Sequence, residues 1–293
     1  MKLQPAYLAG ALWMMFAGLL FVAVAITVRL LGSDMPAVEA AFIRYLFGLL
    51  LVAPVIFRMS WRRVIRRQTL LPYLLRGLAH GAAVLLWFFA MARISIAEVT
   101  AIGYTAPLFT TIGAVLVFSE RIHLRRMIAL AVGFIGVVVI LRPGFTEVSI
   151  GAIAQFVAAP CFAISFLFAK RLTRTEDPSD IIVMLTIFCT LTLLPGAVAV
   201  WQTPTPTELM WLLLTAVFAT VGHYALTRAF ACAPLTATQP FSYLQLVWAV
   251  LFGYLFFTEV PDIWVMLGGG IIVASVTYLM HREALARRIG AAD

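Results

Sequence analysis

With 293 residues, 63% of them hydrophobic and only 12% charged, the chain has a mean hydropathy of +1.02. Soluble domains carry about 25% charged residues, so this composition excludes a water-soluble fold. The net charge of +8 sits largely on short segments between apolar runs, where basic residues orient a membrane protein. With no basic stripe on a soluble module, nucleic-acid binding is excluded too.

Each apolar run is about 20 residues long, enough to cross the roughly 30 Å hydrocarbon layer as a helix. Helices satisfy their own backbone hydrogen bonds in lipid. In chain order the runs cover 7–31, 37–57, 70–91, 95–118, 124–141, 151–170, 180–201, 209–230, 236–257 and 262–281. Lys2 precedes the first run and no small-residue cleavage pattern follows it, so that run is expected to be retained. The breaks carry turn chemistry, as at Gly32-Ser33-Asp34, Arg142-Pro143-Gly144, Asp177-Pro178-Ser179 and Thr203-Pro204-Thr205-Pro206. No break is long enough to hold a soluble domain. Cys161, Cys189 and Cys232 lie in or beside apolar runs and predict small core residues, with neither a disulfide framework nor a metal site. The expected fold is an all-α polytopic membrane protein with ten transmembrane helices.

Residues 90–120 share a plan with 229–259 at an offset of 139. Ala90, Ala92, Tyr104, Phe118 and Glu120 fall on Ala229, Ala231, Tyr243, Phe257 and Glu259. At an offset of 141, Phe21 falls on Phe162, Arg29 on Lys170 and Pro54 on Pro195. The chain therefore divides into repeats at 1–143 and 148–282, followed by a cytoplasmic tail at 283–293. Five helices per copy force the second copy to enter the membrane upside down, an arrangement that puts a transporter's substrate site between the halves. With both termini inside, 16 basic residues fall on the inner ends and loops, against Arg29, Arg93 and Arg142 outside. That asymmetry predicts N-in/C-in topology.

Phe42-Ile43-Arg44, Arg76-Gly77-Leu78, Ala106-Pro107-Leu108, Ser119-Glu120-Arg121 and Gly133-Phe134-Ile135-Gly136-Val137 occur in that order and spacing. On these pieces the chain, from Tyr7 to about Arg282, resembles the drug/metabolite transporter superfamily and within it the ten-helix family of paired EamA domains. The resemblance implies a bacterial inner-membrane carrier of small metabolites, with amino-acid exporters a large share. Members moving S-adenosylmethionine, riboflavin or sugars imply alternatives. The second half departs from the pattern: Leu246 stands where Pro107 would, and Leu185 where Arg44 would.

Ionisable groups deep in a membrane are costly and so are functional candidates. His80, beside Gly77, Gly81, Ala82 and Ala83, and His223 face one central space at depths one turn, about 5.4 Å, apart. They read either as cavity-lining proton acceptors or as neutral histidines bonded to backbone. Arg44 has three readings: a bidentate anchor for a carboxylate, a gate pairing with Glu39 or Glu98, or an interface-seeking side chain. Arg76 is expected to reach the interface. Glu120 and Glu259 end helices, where a carboxylate opposes the dipole. Both read as braces, Glu120 on Arg121 or Arg125 and Glu259, with no adjacent Arg, on a backbone N–H.

Tyr104, Tyr243, Trp87, Trp13, Tyr224, Gln245, Trp248 and Phe162 are expected to line the cavity, because Tyr and Trp at depth need a polar partner that a wet cavity supplies. The repeat partners Tyr104 and Tyr243 are the leading pair. Pro107 frees the carbonyl near Gly103 and predicts a kink usable as a hinge. No P-loop, HExxH or Ser-His-Asp arrangement is present, so no enzyme chemistry and no cofactor is expected. The expected function is secondary transport of small metabolites with amino acids first, and the family resemblance alone implies export rather than uptake. The expected partners are lipid, a small-molecule substrate and protons as candidate coupling ion, for a monomer or weak dimer. A membrane-embedded enzyme is the reading from another class.

Overall fold

The computed structural model describes residues 5–59, 61, 67–106, 108–110, 112–113, 124–142, 147–233, 241–242 and 244–289. Ten helices order them: α1 Pro5–Leu31, α2 Ala37–Arg58, α3 Arg67–Met91, α4 Ile96–Gly103, α5 Leu124–Leu141, α6 Ile150–Leu172, α7 Pro178–Ala199, α8 Pro206–Cys232, α9 Leu244–Phe257 and α10 Ile263–Ile289. No strand occurs among the described residues. Local chemistry sets the starts. Ser95 and Ser149 accept the N–H of Glu98 and Ala152 at the heads of α4 and α6. Thr205 and Glu208 form a reciprocal capping box at α8, with Pro206 in the first turn, where its missing N–H costs nothing.

Six helices, α1, α2, α3, α6, α7 and α8, are long and apolar enough to cross a membrane, and shorter apolar stretches lie in α5, α9 and α10. Large apolar side chains such as Phe57, Leu50 and Val198 point outward, as lipid permits. The chain is therefore a multi-pass helical membrane protein.

Two boundaries differ from expectation. The fourth run is not one helix: α4 stops at Gly103 and a turn occupies Tyr104 and Thr105 before helix resumes at Ala106. The stop falls where a carbonyl has no donor, since proline at 107 cannot give an N–H to residue 103. Pro107 itself lies outside the described residues. At the other extreme α10 runs on to Ile289, through most of the expected tail, because Glu, Ala, Leu and Arg are strong helix formers.

The helices pair across the sequence midpoint. The closest partners are α1 with α8, α3 with α6, α5 with α10 and α2 with α7. Exchanging the first five helices for the second five turns α1/α8 into α6/α3 and leaves the other two pairs unchanged. The pairs run antiparallel. Thr215 near the head of α8 donates to Thr27 near the end of α1 (2.8 Å), while Trp13 near the head of α1 meets Tyr224 late in α8. Gly151 at the head of α6 abuts Ala90 and Arg93 at the end of α3. Small residues set the approach of α3 to α7: a Cβ on Gly77 would lie 2.2 Å from Phe188 Cβ. Between α5 and α10, Gly136 and Gly268 face each other backbone to backbone, the close packing that glycine allows in membranes.

Candidate functional site

The α1/α8 and α3/α6 pairs touch each other only lightly along their length, and between them lies a cavity of about 210 Å³. Its walls repeat. Phe21 and Phe162, Met14 and Gln155, Val84 and His223, Trp87 and Leu226, and Met91 and Phe230 all line it, and each couple is related by an offset of 141 or 139. At the centre Phe21 meets the His223 ring edge-on at 5.0 Å and Phe162 meets His80 at 5.3 Å. The two imidazoles lie 4.8 Å apart. His80 Nδ1 is hydrogen-bonded to Ser165 Oγ at 3.0 Å, while its Nε2 and the Oε1 of Gln155 are buried without a hydrogen-bond partner.

Cations tie the wall pairs together at both ends. Arg29, at the end of α1, donates to the carbonyls of Met91 (2.7 Å) and Ile94 (3.2 Å) at the end of α3. It also pairs with Glu259 at 2.8 Å, which accepts the Ile96 N–H heading α4. Glu259 thus has the arginine partner that the sequence, with none adjacent, did not supply: the partner comes from 230 positions away. At the opposite end Lys170, closing α6, donates to the carbonyls of Phe230 and Ala233 (3.2 Å) at the end of α8. These groups are Arg29, Met91 and Ile94 shifted by the repeat offsets. A cation on terminal carbonyls also complements the negative end of a helix dipole. Glu120 with Arg121 or Arg125 lies outside the described residues.

Of the residues expected at the cavity, Tyr104, His80, Trp87, His223, Gln245, Phe162, Arg44 and Gly103 line it. Tyr104 Oη donates to the Ser242 carbonyl at 2.9 Å, bridging the turn after α4 to the approach of α9. Tyr243 and Pro107 lie outside the described residues. Trp13 and Tyr224 lie away from the lining, in edge-on contact with each other at 6.3 Å, and Arg228 stands 5.7 Å over Trp13. Trp248 faces outward, 37% exposed, and stacks on Phe252 at 6.1 Å.

Glu98 is not in the lining either, and neither it nor Glu39 pairs with Arg44 among the described residues. Glu39 instead accepts the Gln202 N–H at 3.0 Å. Arg76 does not reach an interface: it is 2% exposed and donates to the Ile181 carbonyl of α7 at 3.1 Å. Gln155, Phe21, Phe88, Phe166 and Phe230 also line the cavity. Gln155 was detectable as a lone amide in an apolar helix, and Phe21 as the repeat partner of Phe162.

A bundle of apolar helices around an aromatic-walled cavity with a polar centre, its wall pairs linked by a cation at each end, defines a multi-pass membrane protein of the solute-carrier kind. The comparisons narrow this. The chain belongs to the EamA-like transporter family, whose profile matches it twice, over residues 8–142 and 149–280, within the drug/metabolite transporter superfamily. It is 31% identical over 293 residues to the riboflavin transporter of Vibrio cholerae serotype O1, covering 98% of each chain. It is likewise 31% identical to a riboflavin transporter of Rhizobium johnstonii, covering 95% and 93%. An S-adenosylmethionine uptake transporter of Rickettsia felis is 27% identical, with 96% and 95% covered. A crystal structure at 16% identity superposes with a TM-score of 0.62 over 96% of this chain and 98% of that one, which supports the fold.

Proposed function

We propose that the chain is a secondary transporter carrying a small planar heterocyclic metabolite, with riboflavin the first candidate, across a bacterial inner membrane. The observation that carries this is the aromatic-walled cavity, set in a chain alike from end to end to the riboflavin transporters. Phe21, Trp87, Phe88, Tyr104, Phe162 and Phe166 contribute aromatic rings to its lining, and planar heteroaromatics pack favourably against such rings. The relatives named above favour a vitamin or nucleoside-type cargo over the amino acids expected from resemblance alone, and the Rickettsia relative, named for uptake, favours uptake over export. S-adenosylmethionine is the second reading, on the strength of the Rickettsia relative.

The mechanism is alternating access. The exchange of α1/α8 with α6/α3, and of Arg29 with Lys170, supports two inverted repeats, 1–143 and 148–282. The excess of basic residues on one set of loops supports both termini inside, which puts the Arg29 tie at the outer mouth and the Lys170 tie at the inner one. Rocking of the α1/α8 pair against the α3/α6 pair opens one tie at a time. Tyr104, Tyr243, His80, His223, Gln245 and Gln155 meet the substrate. The paired imidazoles make protons the candidate coupling ion, and the working unit is a monomer or weak dimer.

Riboflavin uptake into proteoliposomes, with and without a pH gradient, tests this. Saturable flux, lost in a Tyr104→Ala, Tyr243→Ala double variant, is expected. Flux of amino acids with none of riboflavin would restore the amino-acid reading.

A further inference from the structure

The described residues lining the cavity include no aspartate and no glutamate. They do include a guanidinium. Arg44 is 5% exposed, has no carboxylate within ion-pair distance among the described residues, and stands 3.9 Å over the Tyr45 ring. Close by in the α2–α3–α7 layer, Arg76 is buried and also without an ion pair among the described residues, its Nε unsatisfied. Glu39, five residues before Arg44 on α2, is turned to the Gln202 N–H. The titratable groups at the cavity centre are His80 and His223, which add no negative charge.

This charge is not a product of the repeat, since Leu185, buried in α7, occupies the equivalent place. One copy carries a cation that the other lacks. A buried guanidinium is tolerated when something compensates it; the Tyr45 ring supplies part of that at Arg44, and the cavity is where a ligand supplies more. Arginine recognises planar oxygen-bearing edges through paired N–H donors.

We propose that Arg44 sets the charge selectivity of the cavity. It admits neutral or anionic planar heterocycles, gripping them by a carbonyl or anionic edge, and turns away cationic ones. This rests on the proposed transport function and sharpens it. A flavin brings carbonyl oxygens and ring-nitrogen acceptors to such a donor, whereas S-adenosylmethionine, whose one carboxylate is outnumbered by a sulfonium and an ammonium, finds no carboxylate for them in the described lining and meets Arg44 and two imidazoles instead.

The test is equilibrium binding to the purified full-length protein in detergent, followed by tryptophan fluorescence and by thermal unfolding. Four probes are used: riboflavin (neutral), riboflavin 5′-phosphate (anionic), S-adenosylmethionine (cationic) and indole-3-acetate, an aromatic anion unrelated to flavins. Wild type is compared with Arg44→Gln and Arg44→Lys, whose unliganded unfolding temperatures report whether each is folded. Wild type is expected to bind the neutral and anionic probes and to bind S-adenosylmethionine at least tenfold more weakly. Arg44→Gln should weaken the anionic probes by about tenfold to a hundredfold, the size of a lost charge-assisted hydrogen bond, and Arg44→Lys should recover most of that loss. Indole-3-acetate binding that depends on Arg44, with no flavin bound, sustains the charge filter and removes riboflavin as cargo. The inference is overturned if S-adenosylmethionine binds as tightly as riboflavin, if folded Arg44→Gln binds every probe like wild type, or if no probe binds.

Discussion

The two ends of the cavity solve one problem with different chemistry. At one, the planar fork of Arg29 spans two carbonyls and the carboxylate of Glu259, joining α1, α3, the head of α4 and the segment after α9. At the other, the ammonium of Lys170 reaches the equivalent carbonyls of Phe230 and Ala233. Duplication kept the position and the sign of the charge while the side chain diverged. A guanidinium holds several acceptors in fixed directions, whereas an ammonium is a mobile point charge. The Arg29 end is therefore the stiffer of the two, and in the proposed alternating-access cycle opening there is the costlier half.

That contrast can be broken by removing each tie. The largest effect is expected for Arg29→Met, which unpairs Glu259 in a partly buried setting. A loss of about 2 kcal/mol is expected, the scale of a broken charge-assisted hydrogen bond. Transport should fall at least tenfold, and a cysteine placed at Thr100 should label faster with an impermeant maleimide from the Arg29 side. Unchanged labelling would show that the tie does not close that mouth. Lys170→Met should cost less, about 1 kcal/mol, and should raise labelling of a cysteine at Leu226 from the opposite side alone. The smallest contrast concerns the centre, where the two copies look alike. Phe21→Ala and Phe162→Ala each remove one ring from a histidine and should lower transport by similar factors, within about threefold of each other, since equal aromatic contacts carry about equal energies. A much larger gap, read from initial rates, would mean that the halves work unequally even where the walls match.

Much of this architecture was legible in the chain. Runs of the right length located most of the helices, and the offset of 141 paired Phe21 with Phe162, which both line the cavity. His80, His223 and Arg44 stood out because charge and imidazole are rare at depth. What stayed hidden has physical reasons. In lipid both faces of a helix are apolar, so periodicity does not separate wall from exterior. Trp248, read as cavity, therefore faces out. Arg76 looked close enough to a helix end to reach water, yet the glycine beside it brings α7 close and the Ile181 carbonyl within reach. The Arg29–Glu259 pair joins residues that no local pattern connects.

The antiparallel α1/α8 contact bears on how the molecule is made. Thr27 and Thr215, which share a hydrogen bond, are separated by 188 positions, so at ribosomal rates of about 5–20 residues per second roughly 10–40 s pass between their syntheses. During that wait α1 lies in the bilayer without its mate. Thr27 is equipped for it: its hydroxyl also reaches the carbonyls of Ala23 and Val24 within its own helix, so no polar group is left bare in hydrocarbon. The helix that emerges first is self-sufficient, and the partner that arrives last adds a donor to a group already content.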